Sequence, residues 1–265
     1  MQIKTFHIRG RDIRAAVPDE YIESYWRSAA EGRWESDAYS VFDRYVDRQT
    51  VCFDLGAYIG FTCCYLAGLS KATHAFEPDP EAFRILEATA AANAFPNLHV
   101  HPFAAGMAES TVRIMSAYSG GNSGSSLLML NPKTSWEVRM VDVGQFIDAH
   151  AGGAHIFIKI DIEGYEYRLL RALLPVWKRH RATVFLALHP QILSRLVEGN
   201  SVWSKLRRRI RLLREHLPLL RIQAAAREIH FASGADPRHA IRRILLSILL
   251  HGDLPADRKE LVIRC

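Results

Sequence analysis

Residues 51–64 read Val-Cys-Phe-Asp-Leu-Gly-Ala-Tyr-Ile-Gly-Phe-Thr-Cys-Cys. A short apolar run ends in Asp54, passes through Gly56 and Gly60, and resumes as an apolar stretch, the pattern of a buried strand turning sharply into a helix. Glycine at such a turn lets the backbone adopt positive φ and pass close to a ligand, and the helix that follows begins with unpaired N–H groups. In open α/β sheets ligands bind in crevices at the carboxyl ends of the strands. The spacing D-x-G-x-x-x-G differs from the dinucleotide pattern G-x-G-x-x-G, and no phosphate-binding lysine follows it, so a pyrophosphate ligand is not expected.

A second strand-like run, 72–76, stops at Glu77, 23 residues after Asp54. A doubly wound fold places an acidic residue on a ribose hydroxyl pair at about this distance, so the two features together point to a nucleoside site. Pro78-Asp79-Pro80 follows, in which Asp79 can cap a helix and Pro80 suits its first position. Either feature alone fits an ordinary strand-to-helix junction equally well.

Three stretches, Asp-Leu-Gly-Ala-Tyr-Ile-Gly at 54–60, Ala-Phe-Glu-Pro-Asp-Pro-Glu-Ala-Phe at 75–83 and Ile-Lys-Ile-Asp-Ile-Glu-Gly-Tyr-Glu at 158–166, resemble the FkbM family of S-adenosylmethionine-dependent methyltransferases over roughly residues 33–190. The resemblance implies an α/β, Rossmann-like seven-stranded class I methyltransferase fold that methylates hydroxyl oxygens of sugars, glycans or other secondary metabolites. It implies an S-adenosylmethionine site containing Asp54, Gly56, Ala57, Gly60, Glu77 and Pro78. Ala104-Ala105, after a third strand over 98–103, are small enough for an adenine to lie against, although a simple turn is equally compatible. The family often carries an acidic and aromatic stretch before the first strand, which brings Trp34, Glu35 and Tyr39 into consideration at the cofactor's border.

The 265 residues, 49% hydrophobic, suffice for one large α/β domain with embellishments. Residues 1–49, with helical spacing over 19–33 and 38–46, are expected to form an N-terminal helical cap on a methyltransferase domain of residues 50–265. No apolar run reaches the roughly 18 residues of a membrane span, and Met-Gln-Ile-Lys-Thr lacks the order of a signal peptide, so a cytoplasmic protein is expected. Cys52, Cys63, Cys64 and Cys265 form no metal-binding spacing and read as reduced, mostly buried thiols.

The net charge of +6 permits nucleic acid, anionic lipid or phosphorylated partners. The excess arginine falls after residue 195, with Arg207, Arg208, Arg209, Arg211 and Arg214 on a helical stretch over 191–216 whose apolar positions, Trp203, Leu206 and Ile210 among them, align elsewhere. A solvated helix face explains it, and no aromatic-basic module accompanies it. Nucleic acid is therefore the alternative acceptor rather than the expected one. Homo-oligomers remain compatible with the sequence, as does a non-catalytic cofactor-binding module, which differs from an enzyme in never turning its cofactor over.

Alternating strands and helices argue for a parallel sheet with right-handed crossovers. The run 156–160, interrupted only by Lys159, delivers Asp161 to a strand end, and 182–188 delivers His189, so both should face one crevice. Methyl transfer from a sulfonium is an in-line displacement in which positioning matters most. A base near the acceptor hydroxyl helps, and His189 has a suitable unperturbed pKa of about 6.5. Asp161 can orient that histidine, bind the acceptor, cap a helix, or hold a divalent ion with Glu163, which requires a bend because residues two apart on a strand face opposite ways. Residues 119–126, Ser-Gly-Gly-Asn-Ser-Gly-Ser-Ser, read as a linker or as a lid. Asp142 and Gln145 read as a helix cap, and 222–231 and 260–264 as late strands.

Overall fold

A computed structural model describes the chain except residues 119, 122, 130, 200, 235–239 and 256–258. The chain opens with an antiparallel hairpin, β1 (Gln2–Ile8) and β2 (Arg11–Val17), followed by α1 (Glu20–Ala30) and α2 (Ser36–Tyr45). Then come β3 (Thr50–Leu55), α3 (Phe61–Ala67), β4 (Ala72–Phe76), α4 (Pro80–Asn93) and β5 (Leu98–His101). A separate three-stranded sheet is formed by β6 (Ala104–Gly106), β7 (Ser110–Ser116) and β8 (Thr134–Asp142). The rest comprises α5 (Val143–His150), β9 (His155–Ile160), α6 (Glu166–His180), β10 (Thr183–Ala187), α7 (Pro190–Arg195), α8 (Val202–His216), α9 (Pro218–Ala225), β11 (Glu228–Phe231), α10 (Ala240–His251) and β12 (Glu260–Arg264).

The main sheet has seven strands in the order β5-β4-β3-β9-β10-β12-β11, parallel except that β12 runs against both its neighbours. From β3 the chain winds outward to β4 and β5, and from β9 outward to β10 in the other direction. The crevice between the ends of β3 and β9 is thus the topological switch point where α/β sheets take their ligands.

Helices cover both faces, which is why these strands read as continuous apolar runs rather than alternating ones. Val51, Phe53 and Leu55 of β3 and Ile156, Ile158 and Ile160 of β9 face a core shared with α5, α6 and α10. Cys52 and Phe157 face the opposite core, with the hairpin and α1 to α4. The hairpin is tied to α4 by side-chain bonds: Ala16 N donates to Thr89 Oγ1 at 3.1 Å, and Arg14 N to Asn93 Oδ1 at 2.9 Å.

Three sequence expectations change. Residues 1–49 carry two helices as anticipated, but 2–17 form the hairpin, held by alternating buried Phe6, Ile8, Ile13 and Ala15. The stretch 222–231 is not one strand: Pro218 at a helix start carries α9 to Ala225 before β11 begins. The stretch 191–216 is two helices, and Trp203, Leu206 and Ile210 are exposed on α8, where only Leu212 and His216 are buried. Apolar spacing marks a helix face but cannot say whether another element covers it. Asp142 caps α5 as expected, accepting from Gln145 N at 3.0 Å.

His216 is wholly enclosed, with Nδ1 donating to Leu212 O at 2.8 Å and Nε2 accepting from Tyr167 Oη at 3.1 Å. Burial pushes its imidazole down to about 4. Between about pH 6.5 and 4 the unfolded chain therefore binds a proton that the folded chain does not, and stability falls as pH drops through that window, by up to about 3 kcal/mol from this residue. The His216 ring signals should not titrate between pH 8 and 5 in an NMR pH series. A midpoint near 6.5 would overturn the assignment of a neutral, buried ring.

Candidate active site

At the switch point lies a cavity of about 390 Å³. Its position follows from Gly56, at φ +89, where β3 leaves the sheet. A side-chain carbon there would stand 1.9 Å from the backbone oxygen of Asp161, so the end of β9 closes against bare glycine. Only glycine meets both demands, the positive φ and the close approach.

On one side of the cavity Glu77, 7% exposed, points inward from the end of β4. One carboxylate oxygen accepts from Tyr58 N at 2.9 Å and the other from Asp79 N at 2.8 Å, which leaves lone pairs on both for a ligand. Burial pushes its carboxyl up to about 8. Gly56, Ala57, Pro78, Ala104 and Ala105 also line the cavity. Asp54 and Gly60, also expected at the cofactor site, are not among the residues that line it. Asp54 is fully enclosed beneath the floor, where Thr62 Oγ1 donates to it at 2.5 Å and Lys159 Nζ stands 3.3 Å away, and Gly60 is the left-handed cap of α3.

On the other side Asp161, Glu163 and His189 converge. His189 Nε2 lies 3.4 Å from Asp161 and 3.8 Å from Glu163. The bend that this requires is present: Glu163 and Gly164 take positive φ in succession, +49 and +96, which returns Glu163 to the side of Asp161. Glu166, fully enclosed, fastens the arrangement by accepting from Gly164 N at 2.8 Å and from His189 N at 2.8 Å, with His189 Nδ1 at 3.3 Å. Burial alone would lower the imidazole pKa, but the bond to Glu166 and the charges of Glu166, Asp161 and Glu163 outweigh it and push His189 up to about 10. The expectation of a free base at His189 thereby meets a physical obstacle, since an imidazole among three carboxylates keeps its proton at neutral pH. Asp161 goes the other way: burial raises it, but Lys159 and His189 hold it below the usual carboxylate range.

The sequence reading missed Lys159. It sits opposite Asp54 in the parallel register of β3 and β9, 2% exposed, donating to Gly56 O at 3.1 Å and standing 3.4 Å from Asp161. A lysine breaking a run of buried β-branched residues was the available signal. Glu166 was passed over although it closes the 158–166 motif, and Glu260 and Gln191 because nothing local distinguishes them. Trp34 and Glu35 do line the cavity, whereas Tyr39 is packed in the core at 1% exposure. Burial pushes Glu35 up to about 8 and Glu260 to about 7. The lining is thus rich in crowded, desolvated carboxylates.

Ser123, Ser125 and Ser126 of the serine-glycine segment line this cavity. Gly121 N and Ser125 Oγ donate to Asp79 Oδ2 at 3.1 and 2.5 Å, Tyr58 Oη donates to Gly121 O at 3.0 Å, and Ser126 Oγ donates to Glu163 O at 2.6 Å. The segment therefore bridges the Glu77 side and the His189 side. Ser119 and Asn122 of this segment lie outside the described residues.

A seven-stranded sheet with one reversed strand, a glycine turn at its switch point and an acid at the end of the next strand define a class I methyltransferase. The Methyltransferase FkbM domain matches residues 54–217, and the chain belongs to that family. No curated protein matches the sequence. Among solved structures, methyltransferase FkbM from Methylobacillus flagellatus KT is 18% identical, with 64% of this chain and 45% of that one covered and a TM-score of 0.37. A putative methyltransferase from Streptococcus mutans in complex with SAH is 9% identical, covering 86% and 96%, with a TM-score of 0.40. A putative rRNA-methylase from Clostridium thermocellum is 6% identical, covering 86% and 92%, with a TM-score of 0.42. This chain covers less than half the length of the Methylobacillus protein.

Proposed function

We propose that the cavity binds S-adenosylmethionine and transfers its methyl group to a hydroxyl oxygen of a sugar, glycan or other secondary metabolite. The observation that carries this reading is the single cavity with Glu77 on one side and the Asp161–His189 pair on the other. Glu77 takes the ribose hydroxyls, and Ala104 and Ala105 flank the adenine. The methyl donor carries a sulfonium and an ammonium group, and the crowded carboxylates around the cavity are the complement of such a cationic ligand.

In the reaction an acceptor oxygen attacks the methyl carbon, the carbon–sulfur bond breaks with its electron pair going to sulfur, and a neutral thioether leaves. The hydroxyl proton passes to the carboxylates beside it and on to water. The protonated His189 imidazole, pinned by Glu166, donates a hydrogen bond to the acceptor oxygen, and the ionised Asp161 accepts from its hydroxyl. Both hold the oxygen in line, and positioning of this kind supplies much of the acceleration in such displacements.

Nucleic acid is the weaker second reading. Arg208 of α8 donates to Val197 O at 3.0 Å and to Gly199 O at 2.6 Å, and Arg209 donates to Leu250 O at 3.5 Å, so part of the arginine cluster is spent on its own fold. No helix among the described residues is long and apolar enough to cross a membrane, and a cytoplasmic setting is part of the proposal.

Calorimetry with S-adenosylmethionine tests the donor site directly. Glu77→Ala should weaken binding by about 1.5–3 kcal/mol, roughly 10- to 150-fold, through loss of an acceptor that the positive charge of the bound donor holds ionised although burial raises its carboxyl to about 8. Unchanged affinity in a folded Glu77→Ala protein removes the ribose assignment. The acceptor is then sought by incubating the protein with radiolabelled methyl donor and fractionated cell extract; label in RNA or DNA alone replaces the hydroxyl reading with the second one.

A further inference from the structure

We infer that Asp161, Glu163 and His189 form a binding site for one hard divalent cation, Mn²⁺ or Mg²⁺, at the acceptor end of the cavity. One ligand atom from each residue lies within 4.8 Å of the other two, and among the described residues no other group of three acidic, histidine or cysteine side chains does so. One imidazole nitrogen, whose Nε2 proton the ion would displace on binding, with two carboxylates is a hard, oxygen-rich donor set that suits these ions, and no cysteine is among the described residues lining the cavity. The three donors are partly exposed to the cavity, at 15–23%, so positions remain for water or an acceptor oxygen.

The surroundings are built as a ligand shell is built. Glu166 takes Nδ1 of His189 and directs Nε2 at the two carboxylates, the carboxylate–histidine arrangement that orients a metal-ligating imidazole. The left-handed pair Glu163–Gly164 brings the second carboxylate to the side of the first, and Ser126 and Glu166 hold that turn from both ends. A separate observation points to a missing ligand: Gln191, in the wall of the same cavity two residues after His189, has an Oε1 that is shut off from solvent and has no hydrogen-bond partner among the described residues. The O–H of an acceptor substrate, or of an ordered water held by a cation, would donate to it.

The role of the cation rests on the methyl-transfer reading above: it would draw the acceptor hydroxyl to the methyl donor and make its proton easier to lose. Its binding does not rest on that reading, and the experiment keeps the two apart. The full-length protein, stripped with chelator, is titrated with Mn²⁺ and free ion is followed by electron paramagnetic resonance. One ion should bind per chain, with no methyl donor present, and Mg²⁺ should displace it. Glu163→Gln and Asp161→Asn should each weaken binding by at least tenfold, and Glu166→Gln by 10- to 100-fold through the imidazole. Among the described residues none donates a hydrogen bond to the Glu163 carboxylate, so Glu163→Gln is the variant least able to fail by unfolding, and its circular dichroism melt is recorded alongside. Glu77→Ala should bind Mn²⁺ normally while binding S-adenosylmethionine roughly 10- to 150-fold more weakly. Absence of binding up to millimolar Mn²⁺, or binding that Glu163→Gln and Asp161→Asn leave unchanged, overturns the site; a protein without these substitutions that binds Mn²⁺ but not S-adenosylmethionine overturns only the donor reading.

Discussion

Gly56→Ala is expected to cost about 2–5 kcal/mol of stability and to eliminate measurable binding of the methyl donor. Two physical costs combine. At φ +89 an L-residue carries a left-handed strain of about 1–2 kcal/mol. The new methyl group also meets the Asp161 carbonyl at 1.9 Å and its carbon at 2.9 Å, both backbone atoms that no rotamer change can move aside. Relief requires parting the ends of β3 and β9, which costs about 1–3 kcal/mol more and opens the floor of the cavity. For a chain of this size the melting temperature should drop by roughly 4–20 °C. Gly10→Ala is the control: at φ +81 with nothing within 4 Å, it carries the strain without the clash. If the two variants melt within a degree or two of each other, the close approach of β9 to Gly56 is refuted.

Lys159→Met should destabilise the fold by a similar amount, about 3–5 kcal/mol, because it strands a buried carboxylate. Asp54 is fully enclosed and has one charged partner, Lys159 at 3.3 Å; burial already raises its carboxyl in spite of that partner. With methionine opposite, Asp54 must either stay charged without compensation or take up a proton. Asp54→Asn in the same chain removes the charge and keeps an oxygen for Thr62 Oγ1. The double variant Asp54→Asn/Lys159→Met should therefore recover about 1–3 kcal/mol relative to the sum of the singles. Urea denaturation of the four proteins gives that coupling. Additive losses would show that the two side chains do not depend on each other, and that Lys159 serves Asp161 and the Gly56 carbonyl instead.

These two variants also separate what local sequence signals convey from what they do not. The turn at Gly56 was legible because strand, glycine and helix follow one another within fourteen residues and each leaves a chain-local signature. Lys159 was visible as a charge in an apolar run, but its partner was not. Asp54 and Lys159 are more than a hundred residues apart and meet only because β3 and β9 pair in parallel with that register. The same holds for His189. Its place at a strand end could be read from the run before it, yet its charge state is set by Glu166, Asp161 and Glu163, of which Glu166 bonds it from 23 residues away through the start of another helix. The unperturbed imidazole pKa suggested a base; the assembled neighbours make it a cation.

By itself, the sequence determined the parallel sheet, the glycine turn, the acid at the end of β4 and the delivery of Asp161 and His189 to neighbouring strand ends, since periodicity, glycine and capping residues act over a few residues of chain. Tertiary structure alone decided that Asp54 lies beneath the cavity rather than in its wall, that 2–17 is a hairpin on α4, and that Trp203 and Ile210 are left uncovered. It also decided that Glu163 turns back through a left-handed pair to join Asp161 and His189. Each of these depends on which surfaces meet across the fold, and burial, pairing register and charge compensation are properties of those meetings rather than of any stretch of chain.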